Sequence, residues 1–339
     1  MKNSFATTLL AAAMVATAGA AGAATLEDVK NKGFVDCGSN ASGLPGFAIT
    51  NDQGEWTGFD VDMCRAIAAA IFNDPKAVKF TPLTAKERFT ALQSGVIDVL
   101  VRNSTWTMSR DTQLGLNFTG VNYYDGQGFM VRKDLGVTSA LELDGASVCV
   151  QTGTTTELNL ADFFRANNMT VNPVVFESAN EALSSYANGR CDAFTTDASG
   201  LYAERLKLTD PDAHMVLPEI ISKEPLGPVV RQGDDQWFNL VKWVGFALLN
   251  AEELGVTQAN VEEMATSDNP DVRRLLGAEG AFGEGLGLSN DWAKNAIMAV
   301  GNYGEMFERN IGEGSPLGIS RGLNALWTDG GIQYAPPIR

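Results

Sequence analysis

Lys79-Phe-Thr-Pro-Leu-Thr84-Ala-Lys-Glu87-Arg-Phe-Thr-Ala-Leu-Gln-Ser-Gly95-Val-Ile-Asp98-Val-Leu-Val101 is the stretch that decides how this chain folds. The run from Lys79 to Leu83 reads as a strand. Thr84 and Glu87 have the spacing of a capping box, so a helix begins there, and Gly95 ends it. Ile97 to Val101 is a second strand, short, apolar and bounded on both sides. Upstream, Gly33 to Cys37 reads as a strand. Asp60-Val-Asp-Met-Cys64 opens a helix with Val61, Cys64, Ile67, Ala68 and Ile71 on one face and Asp60 as its N-cap. The order is βαβαβ, which predicts an α/β fold with a parallel sheet whose ligands gather beyond the strand C-termini.

Downstream the arrangement repeats. Ala146 to Gln151 reads as a strand, Gly153 as a turn, Thr154-Thr-Thr-Glu157 as a helix start, and Val174 to Phe176 as another strand; Ser178 and Glu181 offer a second capping box. Glu87, Gly95 and Asp98 share their spacing with Glu181, Gly189 and Asp192, each trio preceded by a Thr or Ser three residues before its Glu. Two similar α/β lobes facing one cleft account for the echo. The stretches around Tyr123 to Met130 and Glu219 to Val230 read as crossings between lobes, and two crossings make a hinge. Asp235 to Leu254 reads as a long helix, and beyond Ser267 the chain is Gly-rich with scattered aromatics. The expected divisions are 1–23, 24–126 for lobe 1, 127–222 for lobe 2, and 223–339 for the return to lobe 1 plus an extension.

Residues 1–23 read as a secretion leader: Lys2, an apolar stretch from Leu9 to Ala18, and Ala21-Gly-Ala23 as the cleavage site. No other stretch is long and apolar enough for a membrane helix, so an exported, soluble chain is expected. The formal charge of -16, or -17 once Lys2 leaves with the leader, disfavours nucleic acid and anionic membrane as partners. Cys37, Cys64, Cys149 and Cys191 sit in an exported chain, where disulfides are the default and four buried thiols the alternative. Three pairings are open; Cys37 with Cys64 and Cys149 with Cys191 is the favoured one, because each bond then closes a loop within one half. Neither a metal nor a cofactor is expected, since no CxxC spacing exists and His214 is the only histidine.

The chemistry concentrates where strands end. Asp98-Val-Leu-Val-Arg102-Asn-Ser-Thr105-Trp-Thr-Met-Ser-Arg110 runs a buried strand into hydroxyls and two guanidiniums, and a guanidinium matches a carboxylate bidentately. Gln151-Thr-Gly153-Thr154-Thr155-Thr156-Glu157 puts free backbone N–H groups at a helix start, a natural anion site. Cys191-Asp-Ala-Phe-Thr-Thr-Asp197 ends a strand in a carboxylate. Taken singly, Arg110 fits a surface ion pair, Thr154 a plain N-cap, and Asp197 the cap of the next helix. Together, an Arg on one lobe and an Asp on the other clasp the two ends of a zwitterion.

Gly58-Phe-Asp-Val-Asp62, Leu92-Gln-Ser-Gly95 with Asp98, Thr105 to Arg110, Gly153-Thr-Thr155 and Asp192 to Asp197 resemble the polar amino-acid periplasmic binding proteins of ABC importers, from about residue 30 to 250. Cys37, Cys64, residues 151–157 and the long tail resemble the general L-amino-acid binding subfamily. The resemblance implies a type II periplasmic-binding fold closing over a free L-amino acid by hinge bending, a monomer, and a membrane permease as partner. It places Arg110, Thr105 and the Thr154/Thr155 backbone on the α-carboxylate, Asp197 on the α-ammonium with Asn103 beside it, Arg88 and Gln151 on the side chain, and Phe47 against the ligand. Ala85 stands where glutamine-specific relatives carry a second aromatic, which leaves room and points to broad specificity for polar or acidic side chains. The same fold also serves prephenate-like dehydratases and sensor modules. A dehydratase needs a positioned acid or base, and neither His214 nor Glu157 fits; a sensor is ordinarily fused to a membrane segment.

Overall fold

The computed structural model describes residues 24–339, so the leader read from Lys2 to Ala23 lies outside the described residues. The chain begins with α1 (Ala24–Lys32) and β1 (Val35–Asn40), followed by a small ribbon of β2 (Ile49–Thr50) and β3 (Trp56–Thr57). Then come α2 (Phe59–Phe72), β4 (Val78–Leu83), α3 (Arg88–Gln93), β5 (Val99–Leu100), α4 (Met108–Gln113) and β6 (Leu116–Phe118). β7 (Tyr123–Asp125) crosses to the second lobe, which holds β8 (Gln127–Arg132), β9 (Ser147–Gln151), α5 (Thr155–Ala166), β10 (Asn172–Phe176), α6 (Ala179–Ala187), β11 (Ala193–Asp197), α7 (Ala198–Arg205) and β12 (His214–Val216). The chain returns through β13 (Glu224–Leu226) and β14 (Val229–Arg231) into α8 (Asp235–Glu253). Four further helices follow: α9 (Val261–Met264), α10 (Pro270–Leu275), α11 (Trp292–Val300) and α12 (Tyr303–Asn310).

Each lobe carries one five-stranded sheet. The first is ordered β4-β1-β5-β14-β6 and the second β10-β9-β11-β8-β12. In each, one strand lies parallel between two others, β1 between β4 and β5, β9 between β10 and β11. The two crossings pair antiparallel with each other, Glu224 opposite Asp125 and Leu226 opposite Tyr123. That two-stranded crossing is the joint between the lobes.

The echo in the sequence has a physical basis. Gly95 and Gly189 both take left-handed backbone, φ 77° and 76°, to end a helix. Three residues on, Asp98 Oδ2 accepts from the Asp36 N–H at 2.7 Å while Asp98 N–H donates to Asp36 O at 2.8 Å. Asp192 does the same for Ser147, at 2.8 and 2.9 Å. In both lobes one carboxylate therefore pins the start of the central strand to the start of its neighbour.

Cys37 is bonded to Cys64, tying β1 to α2, and Cys149 to Cys191, tying β9 to the residues entering β11. With separations of 27 and 42 residues, each bond stabilises the fold by about 4 kcal/mol in the chain-entropy account.

Two capping expectations fail. The N-cap of α2 is Gly58, not Asp60: a Cβ at position 58 would lie 2.2 Å from the Phe47 carbonyl oxygen, so the chain can turn there only on glycine. Asp60 is thereby carried inward, where its carboxylate accepts the Asn103 N–H at 3.0 Å. Ser178 occupies the N-cap of α6 but makes no capping hydrogen bond. Thr84 and Glu87 do form their reciprocal pair, Thr84 N–H to Glu87 Oε2 at 3.1 Å and Glu87 N–H to Thr84 Oγ1 at 3.3 Å, although α3 winds only from Arg88.

The tail is not an appendage. Trp292, Ala296 and Ile297 of α11 and Met306 and Phe307 of α12 are buried with Phe59 and Ile67 of α2 and Trp237, Leu240, Val244 and Leu248 of α8 in a single core. Beyond α12, Asn324 brackets the first crossing, its Oδ1 accepting Tyr124 N–H at 2.7 Å and its Nδ2 donating to Tyr124 O at 3.1 Å. Among the described residues no helix is long and apolar enough to cross a membrane.

Candidate functional site

Between the lobes lies a cavity of about 560 Å³, counting the space open to solvent. Its first wall comes from the C-terminal end of β1 (Asn40), from α3 (Arg88), and from Arg102, Asn103 and Thr105 just beyond β5. Its second wall comes from the end of β9 (Gln151), the start of α5 (Thr154, Thr155, Thr156), the end of β11 (Asp197) and α7 (Gly200, Glu204). Both walls are thus strand ends and helix starts, the positions at which parallel sheets present polar groups.

The first wall is cationic. Arg88 is 3% exposed and donates Nη1 only weakly, to Arg102 O at 3.3 Å and Asn103 O at 3.5 Å, while its Nε has no partner. Burial first, then the neighbouring Arg110 and Arg102 cations, pull its pKa well down. Arg102 donates Nε to Leu83 O at 2.9 Å, and burial lowers its pKa to about 10. Arg110 is buried as well: Nη1 donates to Thr105 O at 2.8 Å and the guanidinium lies 4.9 Å from the Phe89 ring, with Arg88 4.8 Å from the same ring. Arg110 sits behind the lining residues, next to Thr105.

The second wall is anionic. Asp197 stands at the N-cap of α7 without capping it; instead its Oδ2 accepts from Asn103 Nδ2 at 3.2 Å, across the cleft. Burial, reinforced by Asp125 and Glu224, raises its pKa well above the carboxylate range. Asn103 holds φ at 29°, a strained backbone for a non-glycine residue, of the kind that clusters at functional sites. Below it, burial pushes Asp60 up to about 7.

Glu224 is the residue that no sequence pattern revealed. It is 1% exposed, on the return crossing, and accepts from Thr105 Oγ1 at 2.5 Å, Thr155 Oγ1 at 2.7 Å, Asn159 Nδ2 at 2.7 Å and Ser222 Oγ at 2.7 Å. A threonine hydroxyl has a single hydrogen. With both hydrogens directed at Glu224, Thr105 and Thr155 face the cavity with lone pairs only. The two hydroxyl oxygens also lie 3.2 Å apart, and in this arrangement their side chains suit a donor such as an ammonium.

Other assignments change as well. Phe47 does not line the cavity: it is 1% exposed and packs edge-on against Tyr123 at 5.4 Å and Phe59 at 6.4 Å, in the lobe 1 core. The Thr154 hydroxyl serves as the N-cap of α5, accepting from Glu157 N–H at 3.1 Å and donating to Gln151 O at 2.7 Å. Gln151 lines the cavity and donates Nε2 to Glu177 O at 3.0 Å. His214 pairs with the Tyr186 hydroxyl at 2.7 Å, on β12 and away from the cleft. Among the described residues no cluster of His, Cys, Asp and Glu is arranged to hold a metal.

The lobes are drawn together over this cavity. Besides Asn103 with Asp197, Lys86 pairs with Glu177 at 2.9 Å, Asn180 Nδ2 donates to Ser42 O at 3.0 Å, and Lys207 Nζ donates to Gly43 O at 3.0 Å. Gly153 (φ 74°) passes so close that a Cβ there would lie 3.2 Å from the Lys86 Cα.

The profile of the bacterial extracellular solute-binding proteins, family 3, matches residues 36–260. The chain is 65% identical over 342 residues to the general L-amino acid-binding periplasmic protein AapJ of Rhizobium johnstonii, covering 100% of both chains. It is 59% identical to the glutamate/glutamine/aspartate/asparagine-binding protein BztA of Rhodobacter capsulatus, over 100% of this chain and 99% of that one. A solved ABC transporter/periplasmic binding protein from Brucella ovis with glutathione bound superposes with a TM-score of 0.91 at 66% identity, covering 93% of this chain and 99% of that chain. The two sheet-bearing lobes joined by a paired crossing are the type II periplasmic-binding fold.

Proposed function

Because the chain belongs to the bacterial extracellular solute-binding proteins, family 3, we propose that it captures free L-amino acids in the periplasm and delivers them, as a monomer, to the membrane permease of an ABC importer. The observation that carries this reading is the charge division of the cavity, with Arg88, Arg102 and Arg110 on one side and Asp197 on the other. In this reading the Thr154/Thr155 backbone N–H groups take the α-carboxylate, and Arg110, behind Thr105, adds its positive charge to that side of the cavity. Asp197, supported by the lone pairs of Thr105 and Thr155 and by Asn103, takes the α-ammonium. Arg88, whose Nε has no partner, and Gln151 read the side chain, and the breadth follows from a wall built mostly of polar groups. An arriving ammonium offsets the desolvation that raises the Asp197 pKa, so binding and ionisation support each other. The ligand binds better to the closed lobes than to the open ones, and that difference drives closure about the β7/β13 joint. The divisions at 126 and 222 fall beside this joint.

The relatives are named as binding proteins, and this reading asks the site only to hold and release its ligand. The glutathione in the Brucella relative widens the ligand class carried to this chain. Glutathione begins with a glutamate whose α-ammonium and α-carboxylate are free, so it offers the same head group as an amino acid. The test is to purify the protein from a rich medium, unfold it, and identify the released solute by mass spectrometry. Intact amino acids or γ-glutamyl compounds support the reading; a solute consumed or converted on incubation with the protein overturns it in favour of an enzyme.

A further inference from the structure

Glu224 is held from both lobes at once. Its Oε2 accepts from Thr105 Oγ1 at 2.5 Å and Thr155 Oγ1 at 2.7 Å, and its Oε1 from Asn159 Nδ2 and Ser222 Oγ, each at 2.7 Å. Thr105 belongs to lobe 1, Thr155 and Asn159 to α5 of lobe 2, and Ser222 to the return crossing that carries Glu224. Each oxygen therefore takes one bond from α5 and one from elsewhere. Thr155 and Asn159 are four residues apart, so they present one face of the helix to the carboxylate.

The backbone decides which lobe Glu224 travels with. Just beyond it, Trp106 N–H donates to Pro225 O at 2.8 Å and Gly227 N–H to Ser104 O at 3.1 Å, which fastens the crossing to lobe 1. Just before it, Ile221 N–H donates to Gln127 O at 2.9 Å, on β8 of lobe 2. Glu224 stands where the crossing has passed to lobe 1, and its carboxylate reaches back to α5. Asn159 is the informative partner. It is half-buried, lies outside the walls of the cavity, and among the described residues its side chain bonds to nothing but Glu224.

We propose that Glu224 is the positioning residue of closure: through Thr155 and Asn159 it holds the start of α5 against lobe 1, keeps the Thr154 and Thr155 N–H groups at the cavity, and so sets how long a ligand stays bound. This rests on the amino-acid-receptor reading given above. A swing of lobe 2 leaves Glu224 with Thr105 and parts it from α5, so two of its four donors are exchanged for water. In the closed form those bonds are buried, where a hydrogen bond to a carboxylate is stronger than in solvent. The latch touches no ligand side chain, so it acts alike on every amino acid the cavity admits.

The test measures association and dissociation rates of L-glutamate and L-glutamine by stopped-flow tryptophan fluorescence, on the wild type, Asn159→Ala, Asn159→Asp and the double variant Asn159→Asp/Glu224→Gln. Asn159→Ala is expected to speed the release of both probes by about 10-fold and to slow the association of neither. Asn159→Asp sets a second carboxylate against Glu224 and speeds release by at least about 3-fold more. Glu224→Gln removes that repulsion and supplies an amide N–H, so the double variant releases at least about 3-fold more slowly than Asn159→Asp alone. Release from Asn159→Ala at the wild-type rate overturns the latch. A double variant as fast as Asn159→Asp alone overturns it too, because the substitution then acts on α5 directly and not through Glu224. A wild type that binds neither probe overturns the reading as a broad receptor for polar or acidic amino acids, and the latch with it.

Discussion

At the scale of single residues, the cleft is a set of buried charges kept from water by the closed lobes, and Asp60 shows the consequence for stability. Burial pushes its carboxyl up to about 7 in the folded protein, against an ordinary value of 3.8. The folded chain therefore holds a proton over a range in which the unfolded chain has released it. The stability Asp60 contributes is complete below about pH 4 and is lost as the pH rises through about 7. Asp60→Asn is expected to flatten the fall in melting temperature between about pH 5 and about pH 8, measured on ligand-free protein; an unchanged slope contradicts the assignment. Residues of this kind divide sharply in how legible they are. Asp197 stands out because it ends an apolar strand, where a charge has no reason to be unless it faces a cleft, and Arg110 because it closes the run of hydroxyls and guanidiniums into which such a strand leads. Glu224 and Glu204 do not. Each sits in a segment with no periodicity to violate, Glu224 between prolines and glycines and Glu204 at the end of a polar helix, and only the folded chain brings them to the site.

At the scale of elements, the site depends on where helices start and how closely loops approach. Gly153 joins β9 to α5 in left-handed backbone, and the opposite lobe leaves only 3.2 Å between a Cβ there and the Lys86 Cα. Gly153→Ala adds strain of about 1 kcal/mol or more to the turn in any state, and a steric conflict only when the lobes are shut. Affinity is expected to fall about 10-fold with the fold retained, read by titration and far-ultraviolet dichroism; affinity equal to wild type contradicts the close approach. The order of strands and helices was readable because the same Gly and Asp recur at the same spacing in both lobes and perform the same hydrogen bonding at Asp98 and Asp192. Caps were less readable. Asp60 has the chemistry of an N-cap, yet the approach of the Phe47 carbonyl shifts the helix start to Gly58, and the carboxylate is released for Asn103. Phe47 was misplaced for the same reason: the turn that brings its backbone to Gly58 sends its ring into the core rather than the cleft.

At the scale of the whole molecule, two lobes meet through one paired crossing, and the tail holds that crossing from outside. Asn324 brackets Tyr124 on the first crossing, and Tyr303 donates its hydroxyl to Asn122 O at 2.9 Å. The tail is thus fixed to lobe 1 and to the joint, which leaves lobe 2 as the body that swings. None of this was legible in the glycine-rich sequence beyond Ser267, because its helices are short and their apolar faces make sense only against α2 and α8. The central claim, a zwitterion clasped between the arginines of one lobe and Asp197 of the other, is tested most directly by calorimetric titration. Protein without residues 1–23 is unfolded, freed of solute, refolded and titrated with a panel of L-amino acids. The account expects one-to-one binding of several polar amino acids, with dissociation constants of about 1 μM or tighter. Absence of binding across the whole panel would contradict it.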